Sequence, residues 1–308
     1  MLSNLLTVFL QVVILFLLMS FGYAGGKSGL INENGSKVMT NVSLYFVTPC
    51  LIINSFNIEY DPAKLKGLLI CLLSAILIHA FTILLITVLF KGNNKKRNRV
   101  LRFACVFSNA AYMGIPLQQT VLGSDGVFYG SVYIAVFNIT LWTYGVVCST
   151  DDIKNISGKK ILVNPGIIGV AFGLILFLLP IKLPTVLTSV ISNMANLNTP
   201  LAMLIIGFYL TQSNLLSALK DKTVYLVAFI RLIAIPLVTM GVLYICGIRE
   251  AVLVSLITAS SAPVAAATSM FATRFDNDIT LSVNLVTFTT VLSIVTMPVI
   301  VALAQYIS

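Results

Sequence analysis

Two short stretches combine helix-breaking residues with polar side chains inside otherwise apolar sequence: SNAAYMGIPLQQTVLG (108–123) and TASSAPVAAATS (258–269). A broken helix in lipid frees backbone groups that no water can satisfy. Where two breaks meet, half-helix ends present N–H dipoles to anions and bare carbonyls to cations. The stretches therefore predict a ligand site, against the alternative of proline kinks that only shape packing. The candidate binding residues in them are Asn109, Gly114, Pro116, Ser261 and Pro263.

The composition of the 308-residue chain is that of a protein that crosses a membrane many times. Hydrophobic residues make up 58% of the chain, charged residues make up 9%, and the mean hydropathy is +1.01. Soluble domains average about 25% charged residues. The net charge of +9 does not indicate nucleic-acid binding, because the basic residues lie in short loops between apolar runs. The five cysteines form no CxxC or Cys/His cluster, so neither a metal site nor a cofactor is predicted.

Ten segments are apolar and long enough to cross a bilayer, which takes about 20 residues each. Since the first 22 residues hold no Lys or Arg, the first segment is predicted to be a spanning helix and not a signal peptide. The predicted fold class is an all-α polytopic membrane protein. The segments cover residues 5–22, 36–56, 65–90, 100–121, 126–148, 164–181, 186–211, 223–247, 250–272 and 279–303.

The basic residues are distributed unevenly between the two sides. Fourteen of the 19 Lys and Arg residues follow odd-numbered segments, including the run KGNNKKRNR (91–99). Four follow even-numbered segments, namely Lys64, Lys66, Lys182 and Arg249. This bias places the odd-numbered loops in the cytoplasm and both termini outside. The run 91–99 is interpreted as a solvated cytoplasmic loop that contacts anionic lipid headgroups.

The two halves of the chain repeat one order of proline-containing segments. Pro49 and Pro116 lie 67 residues apart in the second and fourth segments, and Pro200 and Pro263 lie 63 residues apart in the seventh and ninth. Each half holds five segments, and an odd number inverts the second copy relative to the first. The prediction is two inverted repeats, 1–149 and 164–308, joined by a cytoplasmic linker, 150–163.

The run FSNAAYMGIPLQQTVLGSDGVFYGSVYIAVFNITLWTYG (107–145), with NTPLAMLIIGFYL (198–210) and SAPVAAATSMFA (261–272), resembles the auxin efflux carrier family. That family includes bacterial permeases of small organic acids and the plant PIN auxin transporters. The resemblance implies ten helices in two inverted five-helix repeats, with broken helices 4 and 9 crossing. It also implies that substrate binds at the crossing and that one bundle moves as an elevator. Lacking a long central loop, the chain looks like a compact prokaryotic form, which would lie in the plasma membrane.

Four further polar residues lie inside the predicted segments. Asn138 is a candidate ligand contact or an interhelical hydrogen-bonding residue, and Asn284 is its approximate repeat mate at an offset of 146. Arg231, the only intramembrane charge, would cost about 2.5–3.5 kcal/mol at the bilayer centre unless it snorkels. It is a candidate for a substrate-facing or gating role. His79, the only histidine, is either packed and hydrogen-bonded or a proton relay.

Asn109 has two candidate roles, which are contact with a substrate carboxylate and capping of the backbone freed at the break. All ten Asp and Glu residues lie in loops or at segment ends, so a buried carboxylate for ion coupling is not predicted. H+ on His79 or on the substrate, Na+ on backbone carbonyls, and no coupling ion all stay open. An inside-negative potential favours outward movement of one anion by about 2.3 kcal/mol per 100 mV.

These features predict a secondary transporter of a small organic anion, such as a mono- or dicarboxylate. The chain lacks HExxH, GxSxG and paired intramembrane Asp residues, so an enzyme is not predicted. The alternatives are a sodium-coupled symporter of the bile-acid or sodium/proton type and a membrane sensor that transports nothing. The predicted partners are the anion and membrane lipids, with no nucleic acid, and a homodimer is left open.

Overall fold

The computed structural model describes residues 2–179, 181, 183–212 and 215–308. These residues form helices and no strand, and seven helices are long and apolar enough to cross a membrane. Lys182, counted above among the basic residues, lies outside the described residues. The seven helices are Leu2–Lys27, Glu33–Phe56, Pro62–Leu89, Ser124–Thr150, Thr185–Thr211, Lys222–Ile245 and Ile279–Ile307.

The fourth, sixth and ninth predicted segments are not single long helices. The sixth is the short apolar helix Pro165–Leu178. The fourth consists of Lys95–Val106 and 110–122, and the ninth of Glu250–Ser261 and Ala267–Arg274. None of these four pieces spans the roughly 30 Å hydrocarbon core by itself, so the ten-helix count and the inverted repeat stay predictions. We call 107–109 the first break and 262–266 the second break. Short helices also form at Ile153–Asn155, Gly158–Leu162 and Leu215–Lys220.

The helix-breaking residues Gly114 and Pro116 of the first stretch predict a break at Pro116, and this prediction is wrong, because helix continues through Pro116. It follows a π-helical turn, Ala110–Gly114, in which the Ile115 N–H donates to the carbonyl five residues back, at Ala110. The wider turn removes the clash that a proline ring makes in an ordinary helix. The first break therefore ends seven residues before Pro116. The same arrangement occurs at Ser43–Val47 before Pro49 and at Ile230–Ala234 before Pro236.

The helices pack in two groups. The flanking group consists of Leu2–Lys27, Glu33–Phe56, Pro165–Leu178 and Thr185–Thr211. The crossover group consists of the two broken helices with Pro62–Leu89, Ser124–Thr150, Lys222–Ile245 and Ile279–Ile307. The groups meet where Leu2–Lys27 contacts Ile279–Ile307 and where Pro165–Leu178 contacts Ser124–Thr140. Each half of the chain thus contributes helices to both groups.

Glycines set the closest helix contact of the flanking group. A Cβ atom on Gly207 would fall on the Met19 carbonyl and lie 2.7 Å from the Tyr23 nitrogen. A Cβ on Gly22 would meet the backbone of Leu204 on the facing helix. Lipid supplies no hydrophobic force between helices, so such close backbone approach is a main source of their attraction.

The variant Gly207→Ala should therefore be less stable than the wild type by about 1–3 kcal/mol, because its methyl group overpacks this contact. The matched control is Gly241→Ala, where an added Cβ meets no atom within 4 Å. That variant should be neutral or slightly more stable, since Ala favours helix more than Gly does. Thermal unfolding in detergent measures both, and equal melting temperatures for the two variants would contradict the packing argument.

Candidate functional site

The two breaks cross and bind each other through backbone hydrogen bonds. The Asn109 N–H donates to the Pro263 carbonyl at 2.7 Å, and the Ala265 N–H donates to the Phe107 carbonyl at 2.9 Å. Between these bonds, Ser108 and Val264 face each other in an antiparallel bridge. Backbone groups that neither helix can satisfy are thus paired across the crossing, as burial in a membrane requires.

A threonine on a third helix completes the hydrogen bonding of the second break. The Val264 N–H donates to Thr289 Oγ1 at 3.1 Å, and that hydroxyl donates to the Leu285 carbonyl at 2.7 Å. Thr289 and Val264 are fully buried. Helix Ile279–Ile307 therefore holds the crossing in place through one side chain.

Arg231 lies behind the crossing and hydrogen-bonds to both broken helices. Its side chain is only 1% exposed. Nε donates to the Ala262 carbonyl at 3.2 Å, one terminal nitrogen donates to the Cys105 carbonyl at 3.4 Å, and the other donates to the Ser260 carbonyl. The guanidinium thus does not snorkel to the membrane surface. Its hydrogen bonds go to carbonyls in the last turns of Lys95–Val106 and Glu250–Ser261 and to one carbonyl in the second break.

This placement changes the electrostatics of the crossing. Two half-helices end there with partial negative charge, and two others, 110–122 and Ala267–Arg274, begin there with partial positive charge. The guanidinium donates to carbonyls at the negative ends and leaves the positive ends without a compensating anion among the described contacts. The crossing therefore has a net positive character, which suits an anion.

His79 and Tyr133 lie next to this cation. His79 Nδ1 is 2.8 Å from the Ala75 carbonyl, and the imidazole packs on the Tyr133 ring with centroids 5.0 Å apart. Tyr133 in turn lies beside Arg231 and Ser108. These contacts fit the packed and hydrogen-bonded histidine of the sequence analysis, and a proton relay through His79 stays a prediction.

The residues predicted from the two sequence stretches come together at the crossing, but mainly through their backbones. Asn109 and Pro263 bond to each other by N–H and C=O, and the Ser261 hydroxyl donates back to the Thr258 carbonyl at 3.1 Å. Gly114 packs close to the second broken helix, since a Cβ on it would lie 3.5 Å from the Ala259 Cα. Pro116 is buried two residues after Gly114.

Asn138 and Asn284 lie at different positions along their helices. Asn138 comes fourteen residues after the start of Ser124–Thr150, and its side chain lies against Gly166 where the two groups meet. Asn284 comes five residues after the start of Ile279–Ile307 and is buried. Their relation as repeat mates stays a prediction.

Sequence reasoning missed the side chains that pack on the two sides of the crossing. Rings of Phe103, Phe107 and Phe271 stack between Lys95–Val106 and Ala267–Arg274, with centroids 4.4 and 4.9 Å apart. On the opposite side, the buried Gln118 donates to the Ser255 carbonyl at 2.7 Å. Two glutamines in a membrane helix were a signal, but which one faces inward depends on the π-helical turn before them.

The basic run 91–99 is not simply a solvated loop, which corrects the earlier interpretation. Helix begins at Lys95, and Lys96 pairs with Asp276 at 2.5 Å. Arg99 pairs with Asp151 at 2.5 Å, and Arg97 pairs with Asp221 at 2.6 Å. These ion pairs, which we call the basic clasp, tie together the ends of helices that all belong to the crossover group.

Comparisons with known proteins relate the chain to membrane transporters. The model of a family described as membrane transport protein matches residues 7–154 and 148–301 of the chain. A protein of Methanothermobacter thermautotrophicus named "uncharacterized transporter" is 24% identical over 298 residues, which cover 94% of this chain and 95% of that protein. The similarity therefore extends over both halves of the chain.

The crossing generates a stability prediction. Thr289→Val removes the acceptor of the Val264 N–H and should cost about 1–3 kcal/mol, because a buried donor is left unsatisfied. The neighbouring Thr290 has a buried hydroxyl without a hydrogen-bond partner among the described residues, so Thr290→Val is a matched control that should change stability little. Thermal unfolding and amide hydrogen exchange at Val264 measure the difference. Equal loss in both variants would show that the hydroxyl does not hold the break.

The basic clasp generates a pH-dependent prediction. Partial burial raises the pKa of Asp221, but hydrogen bonds from Arg97 and Thr223 outweigh it and leave this pKa below its ordinary value. The pair thus stabilises the folded state above about pH 4, the unfolded-state pKa of Asp, and loses this effect as the pH falls through the folded-state pKa.

Asp221→Asn should therefore lower stability at pH 7 by about 1 kcal/mol. The difference from the wild type should shrink on acidification. Glu33→Gln, which removes the exposed Lys37 pair, is the control and should have little effect. Melting temperatures between pH 7 and pH 3 test both variants, and a gap for Asp221→Asn that is constant with pH would refute the assignment.

Proposed function

Because this chain belongs to the membrane transport protein family, that of the auxin efflux carriers, we propose that it is a secondary transporter of a small organic anion. The proposed substrate is a mono- or dicarboxylate held at the crossing of the two breaks. The observation that carries the proposal is the buried guanidinium of Arg231 at that crossing. A fixed cation that neutralises the half-helix C-termini, at a crossing where two half-helix N-termini also begin, attracts an anion and repels a cation.

The same observation bears on the coupling ion. A sodium ion at a helix crossing would bind backbone carbonyls freed by the breaks. Here Arg231 already donates to three such carbonyls, those of Cys105, Ser260 and Ala262. We propose that the guanidinium takes the place of a coupling cation and that transport does not require sodium. A sodium-coupled symporter, the main alternative, is thus not favoured by these contacts.

The division into two helix groups supports an elevator movement. The crossing, Arg231 and the basic clasp all lie in the crossover group, so the binding site would travel with that group as one body. The flanking group packs through glycines at Gly22 and Gly207 and would stay in place. Each half of the chain contributes helices to both groups, and this arrangement supports the proposed inverted repeat.

Within the site we propose that Asn109 and the first turns of the half-helices hold the carboxylate. Asn138 lies at the boundary between the groups, where it would contact substrate from the opposite side. Ser261 would need to release its bond to Thr258 to reach a ligand. Pro116 and Pro263 shape the backbone and would not contact the ligand.

Transport into proteoliposomes tests the proposal. Labelled acetate, lactate, pyruvate and succinate should include at least one substrate whose uptake does not depend on sodium. Asn109→Leu, which keeps the side-chain size and removes both amide groups, should lower kcat/KM at least tenfold, equal to about 1.4 kcal/mol. Asn193→Leu makes the same change on an exposed face of the flanking group and should leave transport unchanged.

Two results would contradict the proposal. One is the lack of flux for all four acids. The other is undiminished transport by a variant in which Asn109 and Pro116 are both replaced, because the site would then lie elsewhere.

A further inference from the structure

The chain has one ionised side chain in the interior of its spanning segments, and it lies in the crossover group. By sequence, all ten Asp and Glu residues lie in loops or at segment ends, and Arg231 is the single Lys or Arg that lies away from the ends of the predicted segments. Arginine keeps its proton in proteins. The three carbonyls that accept from it contribute dipoles but no net charge. The interior of the crossover group thus carries a net charge of one positive unit, that of Arg231.

We propose that this charge travels with the empty carrier and is cancelled by a bound monocarboxylate. The membrane potential then acts on the return of the empty carrier and not on the loaded step. The inference rests on the proposed function, since it needs an anion at the crossing and movement of the crossover group. It goes further because it assigns the voltage dependence to one step and to one residue.

The hydrogen bonds of Arg231 require its charge to move with the site. They join the guanidinium to Cys105 on the first broken helix and to Ser260 and Ala262 on the second. A movement that left Arg231 behind would break all three hydrogen bonds and leave the carbonyls without donors in the membrane. The charges of the basic clasp are paired at the ends of the group, so they add little to the charge that crosses the field.

The sign of the effect follows from the charge. An inside-negative potential draws the positive empty carrier toward the inward-facing state. A neutral loaded carrier crosses in either direction without regard to the potential. One charge that crosses the whole field changes an equilibrium by about tenfold per 60 mV. The cycle therefore exports an anion with the potential working on the return of the empty carrier.

Exchange and net flux in wild-type proteoliposomes separate the two steps. With one labelled acid saturating on both sides, only loaded carriers cross, whereas net efflux also needs the empty return. The probes are acetate, lactate, pyruvate and succinate, with potentials set by potassium and valinomycin. For a transported monocarboxylate, exchange should be independent of potential, and net efflux should increase with inside-negative potential. For succinate, whose charge is −2, exchange should vary with an apparent charge of one.

The opposite pattern would overturn the proposal. Exchange that varies with one apparent charge for a monocarboxylate, or with two for succinate, would mean that the empty carrier is neutral. Lack of flux for every probe would instead contradict the proposed function, and the inference falls with it. Flux with the wrong voltage dependence leaves the proposed function standing, so the two failures are distinguishable.

Variants of Arg231 add an independent readout. Arg231→Gln removes the charge, so exchange of a monocarboxylate should become voltage-dependent with an apparent charge of one. Arg231→Lys keeps the charge and should keep exchange independent of potential, even if its rate falls. Exchange that stays independent of potential in Arg231→Gln would overturn the assignment to this residue. If neither variant folds, the wild-type comparison of exchange with net efflux decides the question.

Discussion

The structure depends on satisfying the carbonyls of two helices that end inside the membrane. Lipid supplies no hydrogen-bond donors, so each interrupted helix would be unstable there by itself. The breaks satisfy each other through the Asn109–Pro263 and Ala265–Phe107 bonds, and Arg231 supplies donors for the remaining helix ends. Since a buried charge is costly without partners, these same carbonyls are what make Arg231 tolerable inside the crossover group. Breaks and cation therefore stabilise one another.

This mutual dependence connects stability to function. Carbonyls without donors would attract a cation, and the Arg231 guanidinium occupies three of them, which is the basis of the proposal that the crossing binds an anion. Arg231 belongs to helix Lys222–Ile245, and its acceptors Cys105 and Ser260 lie on the two broken helices. The candidate site is therefore assembled from both halves of the chain. The basic clasp adds ion pairs between the same elements at one end. The crossover group is thus built to hold its shape as a unit.

The sequence analysis was accurate where lipid imposes strong constraints and weaker where local geometry decides. The membrane class and the family follow from long apolar segments and from motifs around the breaks. The position of the second break followed correctly from Pro263 and its small neighbours. The first break was placed at Gly114 and Pro116, but a π-helical turn carries the helix past that proline. The pairing of Asn138 with Asn284 came from a sequence offset alone, and it stays a prediction because the two residues take different positions along their helices.

By itself, the sequence determined that the chain spans a membrane, which segments are apolar enough to do so, and that one lone arginine lies among them. Tertiary structure alone decided what that arginine does. Its three acceptors lie 29, 31 and 126 residues away along the chain. Contacts between residues so far apart in the sequence depend on how the helices cross and not on the local sequence pattern. Composition could report the cost of a buried charge, but only the crossing shows the carbonyls that compensate it.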